Sequence, residues 1–184
     1  MRIGLDVDGV MYHFQKTACY MLNKEFGYSL SPEAWSHWNW PKDIVDKKHW
    51  QWLWGTGVKN GLFRYGHLYK GTIEAVRDLS NRGDVVIITS RPRHAVQDTL
   101  DWISYINLPI REVHILSDGE PKSSVRHCDF YVDDKPENIE DYYKNTNGHP
   151  MLWRRSWNST YGTDPELYPF YIVNSWEEVI GHVV

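Results

Sequence analysis

Val85-Val86-Ile87-Ile88-Thr89-Ser90-Arg91 places four β-branched apolar residues in a row and then turns polar. A run without polar alternation offers no face to water, so it reads as a strand covered on both sides, the habit of parallel sheets. Just upstream, Ile73, Val76 and Leu79 recur at helical spacing and Gly83 closes the segment, which predicts a helix over 72–82. Downstream the unit recurs. Residues 95–106 read as helix, Val113-His114-Ile115-Leu116 and Phe130-Tyr131-Val132 as strands, 136–144 as helix and Tyr171-Ile172-Val173 as a strand, with a short helix from Ser175. At the other end Arg2–Leu5 is a strand running into Asp6-Val7-Asp8-Gly9. Strands alternating with helices predict an α/β class: a Rossmann-like parallel sheet with helices on both faces.

The alternation is interrupted once. After the first strand, Phe14, Ala18, Leu22 and Phe26 mark a helix over 14–26 stopped by Gly27, Ser31-Pro32-Glu33 marks a helix start, and a second helix is expected over 43–54, ending at Gly55. Residues 15–66 are therefore expected to form a small helical cap inserted into a core made of 1–14 and 67–184. Six of the ten tryptophans fall there: Trp35, Trp38, Trp40, Trp50, Trp52 and Trp54. A small insertion needs large apolar side chains for a core, and a ligand's flat ring needs a flat partner; the tryptophans fit both needs.

Composition narrows the function. The 184 residues carry Lys+Arg 20 against Asp+Glu 24, a net charge of −4 with no long run of one sign, so a long nucleic acid is not an expected partner. No apolar run is long enough for a membrane span, and the amino terminus lacks the pattern of a secretory signal, so a soluble, cytoplasmic protein is expected. Two cysteines, Cys19 and Cys128, stand outside any metal or redox spacing. Nine histidines show no zinc-site spacing.

Ligands of open α/β sheets bind beyond the carboxyl ends of the strands. There the sequence puts Asp6 and Asp8 after the first strand, Thr89-Ser90-Arg91 after the second and Asp133-Asp134 after the third, with Lys122 in the loop before the third. Residues two apart on an extended segment point the same way, so Asp6 and Asp8 can converge. Four carboxylates in one crevice repel one another, and a divalent cation with oxygen ligands, Mg²⁺ above all, is the expected remedy. Val10 and Met11 rule out an EF-hand reading of Asp6-Val7-Asp8-Gly9. A carboxylate can attack phosphorus, a second can protonate the leaving oxygen, and a hydroxyl and an ammonium can hold the phosphoryl oxygens.

In this order the motifs resemble those of the haloacid dehalogenase superfamily, and within it the 5′(3′)-deoxyribonucleotidases, where D-x-D-G-V is followed by an aromatic residue, as Phe14 follows Val10, and the fourth motif continues as in Asp133-Asp134-Lys135-Pro136. The resemblance implies Asp6 as nucleophile, Asp8 as acid/base, Thr89, Ser90 and Lys122 as phosphate ligands, and a magnesium held by Asp6, the Asp8 carbonyl and the fourth motif, with Asp134 favoured over Asp133. Phe14 is the first candidate for base stacking, then Phe63 and Tyr65. Arg91 joins the expected substrate-binding residues, although Arg91-Pro92-Arg93 is more basic than the pattern of the animal enzymes. The expected activity is hydrolysis of a small phosphomonoester, a (deoxy)nucleoside monophosphate. Its rivals are a sugar phosphate or a polynucleotide 3′ end with the same chemistry, and a binding module without catalysis. Oligomeric state is open.

Overall fold

A computed structural model describes residues 1–37, 40–117, 119–125, 127–162 and 169–183, with Trp40 and Pro41 described by backbone alone. Trp38 and the Trp40 side chain therefore lie outside the description. Six parallel strands form one sheet in the order β3-β2-β1-β4-β5-β6, where β1 is Arg2–Leu5, β2 Asp84–Ser90, β3 Glu112–Leu116, β4 Phe130–Asp133, β5 His149–Trp153 and β6 Tyr171–Val173. The apolar run lies in β2, whose Val86 is in register with Gly4 of β1 and with Glu112 of β3. Val85 and Ile87 join one hydrophobic cluster and Val86 and Ile88 the other, which is the two-residue period of a strand buried on both faces.

Helix α4 (Thr72–Arg82) brings Val76 and Leu79 to the first cluster, as α7 (Trp176–His182) brings Val179. Helix α6 (Pro136–Asn145) brings Ile139 and Tyr142 to the second. Helix α5 (Val96–Ile106) seats Trp102 in the first. Strand order reverses direction beside β1, between the halves that grow outward through β2 and through β4. The carboxyl ends of β1 and β4 thus border the crevice where such sheets take ligands.

Helix α1 (Phe14–Phe26) has the expected bounds: His13 caps its start and Gly27 ends it at φ 73°. Two expectations need correction. The helix expected over 43–54 is two pieces, α2 (Trp40–Ile44) and α3 (Lys47–Trp52), separated at Asp46, which caps α3 through its side chain. It also runs past Gly55: Leu53–Gly57 is a π-helical turn that absorbs both glycines, and the helix continues through Val58 and Lys59. Strand β5 is absent from the sequence reading; it holds Pro150 and pairs with β4 and β6. No helix among the described residues is long and apolar enough to cross a membrane.

Candidate active site

Strand β1 ends in a loop shaped by its glycine. Gly9 has φ +83°, and a Cβ there would overlap the Asp134 carboxylate, so position 9 needs both glycine's backbone freedom and its missing side chain. Backbone N–H groups of Val10, Met11 and Tyr12 all donate to the Val7 carbonyl, at 3.3, 2.9 and 2.7 Å, which winds the loop tightly and hands the chain to α1. The missing side chain leaves room for the Asp134 carboxylate against the loop that follows Asp6.

Lys122 is the hub. Its Nζ donates to Asp6 Oδ1 and to Asp133 Oδ2, each at 2.7 Å, and the lysine is 2% exposed. Asp133 is filled with donors: besides Lys122, its Oδ2 accepts from the Tyr131 hydroxyl and from Asn138 Nδ2 at 2.9 Å, and its Oδ1 accepts from the Lys135 backbone N–H at 2.8 Å. Asp134 is not. Among the described residues its carboxylate takes one side-chain donor, the Trp157 indole Nε1–H at 2.8 Å on Oδ2. Ligand atoms of Asp6, Asp133 and Asp134 lie within 4.8 Å of one another, all three buried. Hard oxygen donors converging on one point, with a carboxylate left short of partners, suit a small divalent cation.

Charge balance points the same way. Burial above all, then repulsion from Asp133 and Asp8, pushes the Asp6 carboxyl up to about 7 despite Lys122, and burial with repulsion from Asp133 and Asp6 raises Asp134 well above the carboxylate range. Because both folded values are raised, the stabilising protonated forms are complete below about pH 4 and are lost as pH rises, for Asp6 through about 7. Without metal, Asp134→Asn is therefore expected to raise Tm at pH 8, about 2–4 °C for each kcal/mol relieved. The asparagine oxygen still accepts from Trp157. Calorimetry of the parent and the variant at pH 5 and pH 8 in metal-free buffer checks the sign.

Asp8 faces a different partner. Arg91 Nε and Nη2 hold its two oxygens at 2.7 and 2.8 Å, while Nη1 reaches Thr99 Oγ1 at 3.2 Å. The guanidinium lies between rings, 4.6 Å from the Phe63 centroid and 4.8 Å from that of Tyr12. The Arg91 side chain is fully covered and grips Asp8, and Arg91 is also among the residues that line the cleft. Ser90 lines the cleft. Thr89 ends the buried part of β2, outside the residues that line the cleft, with its hydroxyl buried and without a hydrogen-bond partner among the described residues, an orphan donor close to the strand end.

Above this floor the cleft, about 730 Å³, is walled by aromatic rings. Phe14 stacks on Trp54 at 5.7 Å and on Phe63 at 5.9 Å, and meets Trp35 edge-on at 6.2 Å. Trp50 lines the same wall, so the tryptophans serve packing and cleft together. Tyr65 does not join them: it is 68% exposed and lies outside the cleft lining. Sequence reasoning missed Trp157 and Asn158; Asn158 Nδ2 holds the Asp134 carbonyl at 2.7 Å. No motif flags an indole or an amide on a loop, and only their place just after a strand end could have drawn attention.

A family model described as "5' nucleotidase, deoxy (Pyrimidine), cytosolic type C protein" matches residues 1–184. A protein of Halalkalibacterium halodurans that carries the name nucleotidase BH1399 is 22% identical over 141 residues, 74% of this chain and 71% of its own length. Among solved structures, the haloacid dehalogenase-like family hydrolase SP0104 of Streptococcus pneumoniae superposes with a TM-score of 0.69 at 15% identity, over 100% of this chain and 98% of its own. The HAD-hydrolase YfnB of Bacillus subtilis, bound to magnesium, gives 0.61 at 12% identity over 99% and 97%. Likeness at these identities is likeness of fold.

Proposed function

The chain belongs to the family of cytosolic type C 5′ deoxy(pyrimidine) nucleotidases and is a phosphoric monoester hydrolase of the haloacid dehalogenase-like type, and from that premise we propose that it is a Mg²⁺-dependent 5′-deoxyribonucleotidase of the cytoplasm. One observation carries the reading. A single cleft has Asp6, Lys122 and Asp134 on its floor and Phe14, Trp54 and Phe63 on its wall, so a phosphate and a flat base fit it together. Residues 15–66 act as the cap that supplies most of that wall, against a core of 1–14 and 67–184.

In this reading Asp6 attacks phosphorus, forming an aspartyl-phosphate as the bond to the ester oxygen breaks. Asp8, protonated from solvent once it turns out of the Arg91 fork, gives that oxygen its proton, and the carboxylate so formed then takes one from the water that hydrolyses the acyl phosphate. The Thr89 hydroxyl and the exposed Ser90 donate to phosphoryl oxygens, and Lys122, held by Asp133, offsets their charge. Asp6, the Asp8 carbonyl and Asp134 would hold Mg²⁺, which when bound neutralises phosphate charge and screens the carboxylates from one another. Asp134 is the better ligand of the pair because Asp133 is already filled.

Base stacking is worth roughly 1–3 kcal/mol, so Phe14→Ala is expected to lower kcat/KM for a nucleoside monophosphate about ten- to a hundredfold while sparing p-nitrophenyl phosphate. The apolar wall leaves a ribose 2′-hydroxyl without a partner, which favours deoxy substrates. Measuring kcat/KM for dUMP, dTMP, UMP and p-nitrophenyl phosphate in both proteins tests this. A parallel drop on all four would reduce Phe14 to a support of the cap.

A further inference from the structure

The short turn after β5 touches each part of the site. Arg155 Nε donates to the Gly9 carbonyl at 2.6 Å, on the loop that carries Asp6 and Asp8. The Ser156 hydroxyl donates to the Trp35 carbonyl in the cap segment. Trp157 Nε1 donates to Asp134 Oδ2 at 2.8 Å, and Asn158 Nδ2 is shared between the Asp134 and Trp153 carbonyls at 2.7 and 2.8 Å. Asn158 is fully buried, and its Oδ1 accepts from the Arg155 backbone N–H at 2.8 Å, so the turn is closed on itself.

We propose that Trp157 is a positioning residue for the metal-holding carboxylate: its indole N–H fixes Oδ2 of Asp134 and so aims Oδ1 into the cluster with Asp6. This rests on the reading of Asp134 as a Mg²⁺ ligand given above. Asp134 shares the buried cluster with Asp6 and Asp133, and Gly9 leaves no side chain to wedge it in place. Repulsion from the other two carboxylates drives it away from them. A single N–H held rigidly by a ring opposes that drive, and it leaves one oxygen with lone pairs for a cation. Partners of this kind commonly change metal affinity about ten- to a hundredfold when removed.

A neighbour supplies the control. Trp153, four residues back, is 3% exposed and its indole N–H is buried without a hydrogen-bond partner among the described residues. Trp157→Phe and Trp153→Phe make the same chemical change, but only the first removes a hydrogen bond to Asp134. The experiment is calorimetric titration of the full chain with MgCl₂ in the absence of substrate, at a temperature where circular dichroism shows each variant folded. Trp157→Phe is expected to weaken the Mg²⁺ Kd about ten- to a hundredfold, and Trp153→Phe to leave it within about twofold. Half-saturating Mg²⁺ for turnover should rise by the same factor in Trp157→Phe, with kcat recovered at saturating metal. A Trp157→Phe Kd equal to the parent's would overturn the inference while leaving the Mg²⁺ reading intact, as would equal weakening by both variants. A parent that binds no Mg²⁺ would overturn the reading and the inference with it.

Discussion

Asp6→Asn is expected to reduce phosphate release by at least about a thousandfold, to the level of uncatalysed background in most assays. Three losses coincide in that change. The carboxamide is a far weaker nucleophile toward phosphorus, the cluster loses one of its oxygen donors of full charge, and Lys122 loses one of the two carboxylates that hold its ammonium at 2.7 Å. Substrate binding should survive, because the aromatic wall of the cleft is untouched. Equilibrium binding of dUMP to the variant, measured beside its turnover, separates the two effects. A variant that kept a tenth of the parent's kcat would place the nucleophile elsewhere.

Asp8→Asn is the second large effect, and its size should depend on the leaving group. General acid–base groups contribute about 10²–10⁴-fold, and the full loss is expected on a nucleotide, whose alkoxide leaves only with a proton. p-Nitrophenolate leaves without one, so the loss on p-nitrophenyl phosphate should be smaller by at least about tenfold. Because the Arg91 fork holds both Asp8 oxygens in this structure, an asparagine there also loosens the guanidinium between Tyr12 and Phe63. That packing loss falls on both substrates alike, so the ratio between them isolates the proton. Equal losses on the two would show that Asp8 acts by holding Arg91.

The sequence made some of this legible because local patterns and long-range packing agree. The apolar run of β2 has to be covered on both faces, and α1 declares its end through Gly27. Where tertiary structure overrides local habit, reading stopped short. Pro150 argues against a strand, yet β5 forms because its neighbours bury Met151 and Leu152 on opposite faces. Gly55 and Gly57 look like a helix end, and a π-helical turn takes them in. The site divides likewise. Carboxylates, a lysine and a threonine at strand ends announce themselves by type and place. Arg91 announces a charge, and its partner, 83 residues away in the chain, decides that it faces Asp8. Trp157 and Asn158 acquire their roles only when β5 brings the following turn against Asp134.

The most direct test of the central claim is phosphate release from dUMP by the wild-type protein in Mg²⁺ and, in parallel, in excess chelator. The expected result is turnover in Mg²⁺ with a kcat/KM well above that for p-nitrophenyl phosphate, and none in chelator. Full activity in chelator, or a generic ester hydrolysed as efficiently as dUMP, would contradict it.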